Sequence, residues 1–168
     1  MRLGGWQKNS LIDYPGKSST ILFTTGCNFR CGYCHNPELV QAEQFPAPVA
    51  VREVFGYLEK RRSQVDAVVI TGGEPTLHQD LPDFIERIKS LGYLIKLDSN
   101  GTNPAMLDML IQNRLLDYIA MDIKAPLDKY ESIVHMPVDT DAIAKSITLL
   151  KQSSIDYEFR TTVIKSQL

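Results

Sequence analysis

Thr20-Ile21-Leu22-Phe23-Thr24-Thr25-Gly26-Cys27-Asn28-Phe29-Arg30-Cys31-Gly32-Tyr33-Cys34 is the stretch on which the reading of this chain turns. Its opening residues, β-branched and aromatic around one leucine, have the composition of a short strand. They run directly into three cysteines spaced C-x3-C-x2-C, and these are the only cysteines in the 168 residues. A structural zinc site or a ferredoxin-type cluster closes its shell with four protein ligands. Three thiolates on one loop would leave one iron of a four-iron cluster without a protein ligand, and an open metal position is where chemistry happens. Two other readings stay open at this point. His35 could complete a Cys3His zinc site, although zinc ligands usually come as separated pairs and adjacent Cys34 and His35 would be strained. A disulfide plus one free thiol would need an oxidising compartment.

Outward from that stretch, strand and helix patterns alternate with no internal repeat and no long linker. Val49 to Arg62 carries apolar residues at helical spacing, at Val51, Val54, Phe55 and Leu58. Ala67 to Thr71 is a buried-type strand ending at Gly72-Gly73. Leu81 to Leu91 reads as a helix with Asp80 as N-cap, Pro82 in its first turn and Gly92 ending it. Tyr93 to Leu97 is a strand, Pro104 to Asn113 a helix and Tyr118 to Met121 a strand. A helix over Asp141 to Lys151 then leads to a last strand, Tyr157 to Ile164. Five strands with four crossovers predict an α/β fold, a parallel sheet with helices outside.

Each distinctive polar cluster falls at the carboxyl end of one of these strands. The cysteines follow the first, Gly72-Gly73-Glu74-Pro75 the second, Asp98-Ser99-Asn100-Gly101 the third and Asp122-Ile123-Lys124 the fourth. Ligands of parallel α/β folds bind at that end of the sheet. Alone, the glycine pair reads as a tight turn, and each aspartate as an ordinary polar residue at a strand end. Arg160, in the last strand, reads equally as a solvated alternate-face residue. His78 and His135 read as polar loop residues.

Gly26 to Glu38, with Tyr33 before the third cysteine, resembles the radical S-adenosylmethionine (SAM) superfamily, and within it the glycyl-radical-enzyme activases. Ser10-Leu11-Ile12-Asp13-Tyr14-Pro15-Gly16-Lys17 is similar, more narrowly, to activating proteins of anaerobic ribonucleoside-triphosphate reductase. The resemblance implies a partial, laterally open (β/α) barrel of nominally six strands. It implies a [4Fe–4S] cluster on Cys27, Cys31 and Cys34, whose fourth iron binds SAM, and an electron donor of the flavodoxin or ferredoxin type. Reductive cleavage of SAM would then give a radical that takes hydrogen from a glycine of the partner enzyme. The same resemblance puts Gly72, Gly73 and Glu74 beside the SAM amino group. Asp98, Asp122 and the backbone of Ser99 would hold a monovalent cation at the SAM carboxylate, with Asn100 and Lys124 nearby. Arg160 would help hold SAM, and Tyr33 would pack near the adenine, since aromatic faces stack on bases. His35, Asn36 and Asp13 match family positions with no role legible in them. Two other functions remain: a radical SAM reaction on a small molecule such as a deazapurine precursor, and a non-enzymatic zinc or redox module.

Size and charge set the remaining bounds. One core domain spanning residues 1–168 is expected. Family members continue through another helix and strand beyond the fifth strand, so the expectation is a C-terminally shortened core with the usual sixth strand missing. Lys and Arg total 18 against 20 Asp and Glu, a net charge of −2, with no basic stripe to mark a nucleic-acid partner. Lys60-Arg61-Arg62 ends a predicted helix, where positive charge suits the dipole. No apolar run approaches the ~20 residues that span a membrane. Met1 to Gln7 lacks a signal-peptide core, and a cytoplasmic location is expected.

Overall fold

A computed structural model describes residues 1–163. The described residues form one six-stranded sheet in sequence order: β1 (Leu3–Tyr14), β2 (Lys17–Thr24), β3 (Ala67–Gly72), β4 (Leu94–Ser99), β5 (Tyr118–Asp122) and β6 (Asp156–Arg160). β1 and β2 are antiparallel, and every later pair is parallel. Crossovers between parallel strands are right-handed almost without exception. Strands laid down in strict order therefore put every crossover helix on one face and leave the other concave. The sheet does not close.

The helices are α1 (Val51–Arg61), α2 (Leu81–Lys89), α3 (Pro104–Gln112), α4 (Tyr130–Val134) and α5 (Thr140–Gln152). Strand residues of one parity, among them Leu22, Val68, Ile70, Ile95, Leu97, Ile119 and Met121, join Leu58, Ile85, Leu110 and Ile143 of the helices in one buried core. Residues of the opposite parity form a smaller cluster of Tyr14, Ile21, Ala67 and Val69, flanked by Phe23, Leu94 and Tyr118. Side chains alternate between the faces of a strand, so Lys96, Asp98 and Asp122 share that second, concave face.

The five parallel strands stand where the sequence places them, and β1 is an addition. Its residues alternate poorly, its pairing has three register shifts, and Leu11 and Ile12 are exposed. Burial did not advertise it, and the one signal for it, the turn at Pro15-Gly16, went unread. Pro15 is followed by Gly16 at φ +68, the Pro-Gly pairing that turns of type II require. The count of five strands is thus corrected to six among the described residues, one of them antiparallel. β6 ends at Arg160, four residues before the expected limit, and Ile164 lies outside the described residues. Asp80 stands at the N-cap of α2 but makes no capping bond; its carboxylate pairs with the Met1 ammonium. Asn103 and Asp139 do cap α3 and α5, accepting from Met106 N and Ala142 N at 3.1 Å each.

Candidate active site

The loop after β2 has no regular structure of its own and is pinned from several sides. Gly26 N–H donates to Leu39 O at 2.7 Å and Arg30 N–H to Val134 O at 2.8 Å. The Arg30 guanidinium reaches back to Cys27 O at 2.7 Å, and the buried Phe29 ring packs against Tyr130. His78 Nε2 donates to Thr25 O at 2.9 Å. Burial lowers the His78 pKa, although that bond opposes the shift. Cys27, Cys31 and Cys34 are free and half-buried. Burial pushes the Cys27 thiol up to about 11, and raises Cys31 as well.

Gly72 and Gly73 explain themselves through the backbone. Gly72 has φ +120, and a Cβ there would lie 2.3 Å from Thr24 N; one on Gly73 would lie 2.0 Å from Gly26 O. Gly73 N–H donates to Thr24 O at 2.9 Å and Glu74 N–H to Gly26 O at 2.7 Å. The glycines therefore let the end of β3 zip against the root of the cysteine loop, a fit that any side chain would block.

Glu74 is 1% exposed. Its Oε1 accepts from Thr76 N (3.1 Å), Thr76 Oγ1 (2.6 Å) and Ser99 Oγ (2.9 Å), and its Oε2 from Asn100 N (2.7 Å). Burial raises its pKa, and these donors pull the other way without cancelling it. The carboxylate thus ties the end of β3 to the end of β4. Asn100 passes the connection on: its Nδ2 donates to Asn28 Oδ1 at 2.8 Å, and Asn28 Nδ2 donates to Thr102 Oγ1 at 2.9 Å.

On the β4–β6 side the acids meet cations. Arg160 donates from Nε to Asp122 Oδ1 at 2.9 Å and from Nη1 to Asp98 Oδ2 at 3.3 Å, bridging both. Lys124 Nζ donates to Asp122 Oδ2 at 2.9 Å. Lys96 Nζ lies 2.9 Å from Asp98 Oδ1. Burial works against the charges of Lys124 and Arg160, but the facing aspartates outweigh it and hold both pKa values above their usual range. All four carboxylate oxygens face a side-chain cation. Of these oxygens, Asp98 Oδ1 accepts no hydrogen bond although the Lys96 ammonium stands beside it.

These groups surround a cavity of about 390 Å³. Every site residue expected from the sequence lines it: Cys27, Cys31, Tyr33 and Cys34 from the loop, Gly72, Gly73 and Glu74 from β3, Asp98, Ser99 and Asn100 from β4, Asp122 and Lys124 from β5, and Arg160 from β6. Phe29, Val40, Thr71, Thr161 and Thr162 line it too, without having been anticipated. Asn28 and Lys96 were missed as well. Asn28 sits between two of the cysteines, but its bridge exists only once Asn100 is brought beside it. Lys96 had one signal, its place two residues before Asp98 in a strand. His135, like His78, is outside the lining residues.

The donor set suits a cluster better than a single ion. Among the described residues no three His, Cys, Asp or Glu side chains converge as the ligands of one metal ion would. The three thiolates would each take a different iron of a four-iron cluster, and the chain has no fourth cysteine to close a four-thiolate shell. Among the described residues, two buried polar atoms of lining residues, Tyr33 Oη and Asp98 Oδ1, lack a hydrogen bond of good geometry, with the Cys31 thiol beside the first and the Lys96 ammonium beside the second. Burial, then the neighbouring Cys31 and Asp122 charges, raise the Tyr33 hydroxyl to about 12, so it stays a neutral donor.

The profile of the radical SAM superfamily matches residues 21–167. The chain belongs to the radical SAM superfamily, whose enzymes use a [4Fe–4S] cluster and SAM. It is 39% identical over 160 residues, 92% of its length, to a Methanocaldococcus jannaschii protein provisionally assigned as a glycyl-radical enzyme activating enzyme. A 7-carboxy-7-deazaguanine synthase of Halobacterium salinarum is 34% identical over 52% of the chain. The chain spans 65% and 33% of the lengths of these two relatives. In fold it is similar to native anSMEcpe with bound AdoMet, at a TM-score of 0.61 and 17% identity, covering 81% of this chain and 40% of that one. Among the described residues no helix is long and apolar enough to cross a membrane.

Proposed function

We propose that the chain is the radical SAM core of a glycyl-radical-enzyme activase. The observation that carries this reading is the 39% identity to the M. jannaschii protein across nearly the whole chain. It is joined to a cavity in which three free thiols face a charged pocket. Under this reading Cys27, Cys31 and Cys34 hold the cluster, and the cluster, once bound, supplies the electron that cleaves SAM reductively.

The chain's own residues then bind and orient. Backbone at Gly72 and Gly73 offers acceptors to the N–H groups of the SAM amino group, and Glu74 keeps that backbone in place from behind. Asp98 and Asp122 hold Arg160 and Lys124 toward the SAM carboxylate, with Ser99 and Asn100 completing that wall. Arg160 uses Nε and Nη1 on the aspartates, which leaves Nη2 donors for a ligand. Tyr33, whose hydroxyl stands beside the Cys31 thiol, packs near the adenine. Phe29 and Val40 supply the apolar wall that excludes water.

The partner proposed is anaerobic ribonucleoside-triphosphate reductase, on the resemblance of Ser10 to Lys17, with a flavodoxin- or ferredoxin-type protein as donor. Anaerobic reconstitution with iron and sulfide, chemical reduction and mixing with that reductase test this. A glycyl-radical signal in electron paramagnetic resonance, with one 5′-deoxyadenosine formed per radical, is expected. SAM cleavage without any protein radical would favour the second reading, a small-molecule reaction, for which the identity to the deazaguanine synthase speaks. Stoichiometric zinc in place of iron and sulfide would overturn both.

A further inference from the structure

Lys96 lies in the interior of β4, two residues before Asp98 and on the same concave face, with its side chain 3% exposed. Lysine is almost never buried so completely unless it is paired. Its ammonium stands 2.9 Å from Asp98 Oδ1, 3.8 Å from Glu158 Oε1 and 5.9 Å from the centre of the Tyr118 ring. The 2.9 Å approach is out of line for a hydrogen bond, which is why Oδ1 counts as an acceptor without a donor although its charge is compensated. A compact point charge beside a carboxylate oxygen, held by attraction more than by a directed bond, is how a bound alkali ion behaves. The other three oxygens of the pair are taken by Arg160 and Lys124.

We propose that Lys96 is a built-in counter-cation: its ammonium takes the place that a monovalent metal ion would have beside Asp98 and Asp122, and the pocket keeps its shape without such an ion. Three side-chain cations already face the two carboxylates. A metal ion would add a fourth positive charge and would have to displace one of them. A tethered ammonium cannot dissociate, so the alignment of Arg160 and Lys124 is independent of the salt in which the protein works. Lys96 is thus a positioning residue that acts through Asp98. This holds whichever reaction the cavity performs, so its failure and the failure of the proposed function are separable.

Thermal unfolding of the chain without SAM tests it, with and without the reconstituted cluster, as potassium chloride replaces choline chloride at constant ionic strength. Choline is too large to enter a carboxylate pair. The wild type is expected to melt at the same temperature throughout. Lys96→Met is expected to melt lower in choline and to recover saturably in potassium, by about 3 °C or more at saturation. The double variant Lys96→Met/Asp98→Asn should lose that response again. Potassium-selective, saturable stabilisation of the wild type would overturn the proposal, as would a Lys96→Met protein indifferent to potassium. Should Lys96→Met fail to fold in both salts, Lys96→Gln decides in the same way: a potassium response supports the proposal and indifference sinks it.

Discussion

Glu74 and the Asp98–Asp122 pair occupy the same end of the same sheet, and the protein treats them in opposite ways. Glu74 is sealed from water and held by hydroxyl and backbone N–H donors, with no cation against it. Asp98 and Asp122, with side chains 13% and 29% exposed, are held by Lys96, Lys124 and Arg160. Neutral donors fix a carboxylate in place but leave its charge largely uncompensated, so burial raises its pKa. Cations compensate the charge and, being themselves pinned, become fixed positive features of the cavity wall. The first arrangement builds a rigid joint between β3 and β4. The second builds an electrostatic surface able to receive a zwitterion.

The most drastic way to break this comparison is to remove what both halves serve. Cys27→Ala, Cys31→Ala and Cys34→Ala are each expected to lose the cluster and all reductive SAM cleavage, since the chain has no spare thiol. Iron and sulfide analysis with 5′-deoxyadenosine formation checks this; an intact cluster and normal cleavage in any one variant would contradict it.

Next come the two kinds of acid. Asp98→Ala strands the Lys96 ammonium in the concave face, and about 3 kcal/mol of stability should go with it. Glu74→Ala leaves the donors of Thr76, Ser99 and Asn100 without acceptors, a loss of about 2 kcal/mol. Urea unfolding measures both, and equal stability to wild type in either would show that the carboxylate is dispensable there. Asp122→Ala should differ in kind. Its side chain is partly solvated, so the stability cost is at most about 1 kcal/mol. The loss of aligned charge should nevertheless weaken SAM binding about tenfold, read by titration against the reconstituted cluster. Unchanged SAM affinity would return Asp122 to a structural role.

The subtlest contrast lies in pH. Glu74 holds its proton more tightly in the folded chain than in the unfolded one. Its contribution is therefore most favourable at or below the ordinary glutamate value, and it is lost as pH rises through the raised folded value. The stability of wild type relative to Glu74→Gln should fall as pH rises from about 4.5 toward neutrality. A difference that grows with pH would mean that the four donors outweigh burial.

Much of this was legible in the residues. Apolar runs of strand length separated by helical periods specify a parallel α/β sheet, because a strand buried on both faces must be apolar throughout. The strand ends then collect the polar clusters, so the thirteen expected site residues all line one cavity. What escaped notice has physical causes. β1 is an edge strand with little burial to shape its pattern, and its one local signal was the Pro15-Gly16 turn. Gly72 and Gly73 line the cavity as expected and also make room for the protein's own backbone at Thr24 and Gly26, an approach that only the packed strands reveal.

The sequence by itself determined the cysteine loop, five of the six strands along the chain and the polar clusters at their carboxyl ends, since each follows from local composition and spacing. Only the tertiary structure decided how the charges are paired. Lys96, Asp98, Asp122, Lys124 and Arg160 come from three strands and the loop after β5, and Arg160 lies 62 residues from Asp98. Which cation faces which oxygen depends on the register of β4 against β5 and of β5 against β6. No local pattern encodes that register. It is set by the packing of whole strands, and with it the difference between an acid that joins two strands and a pair of acids that hold three side-chain cations.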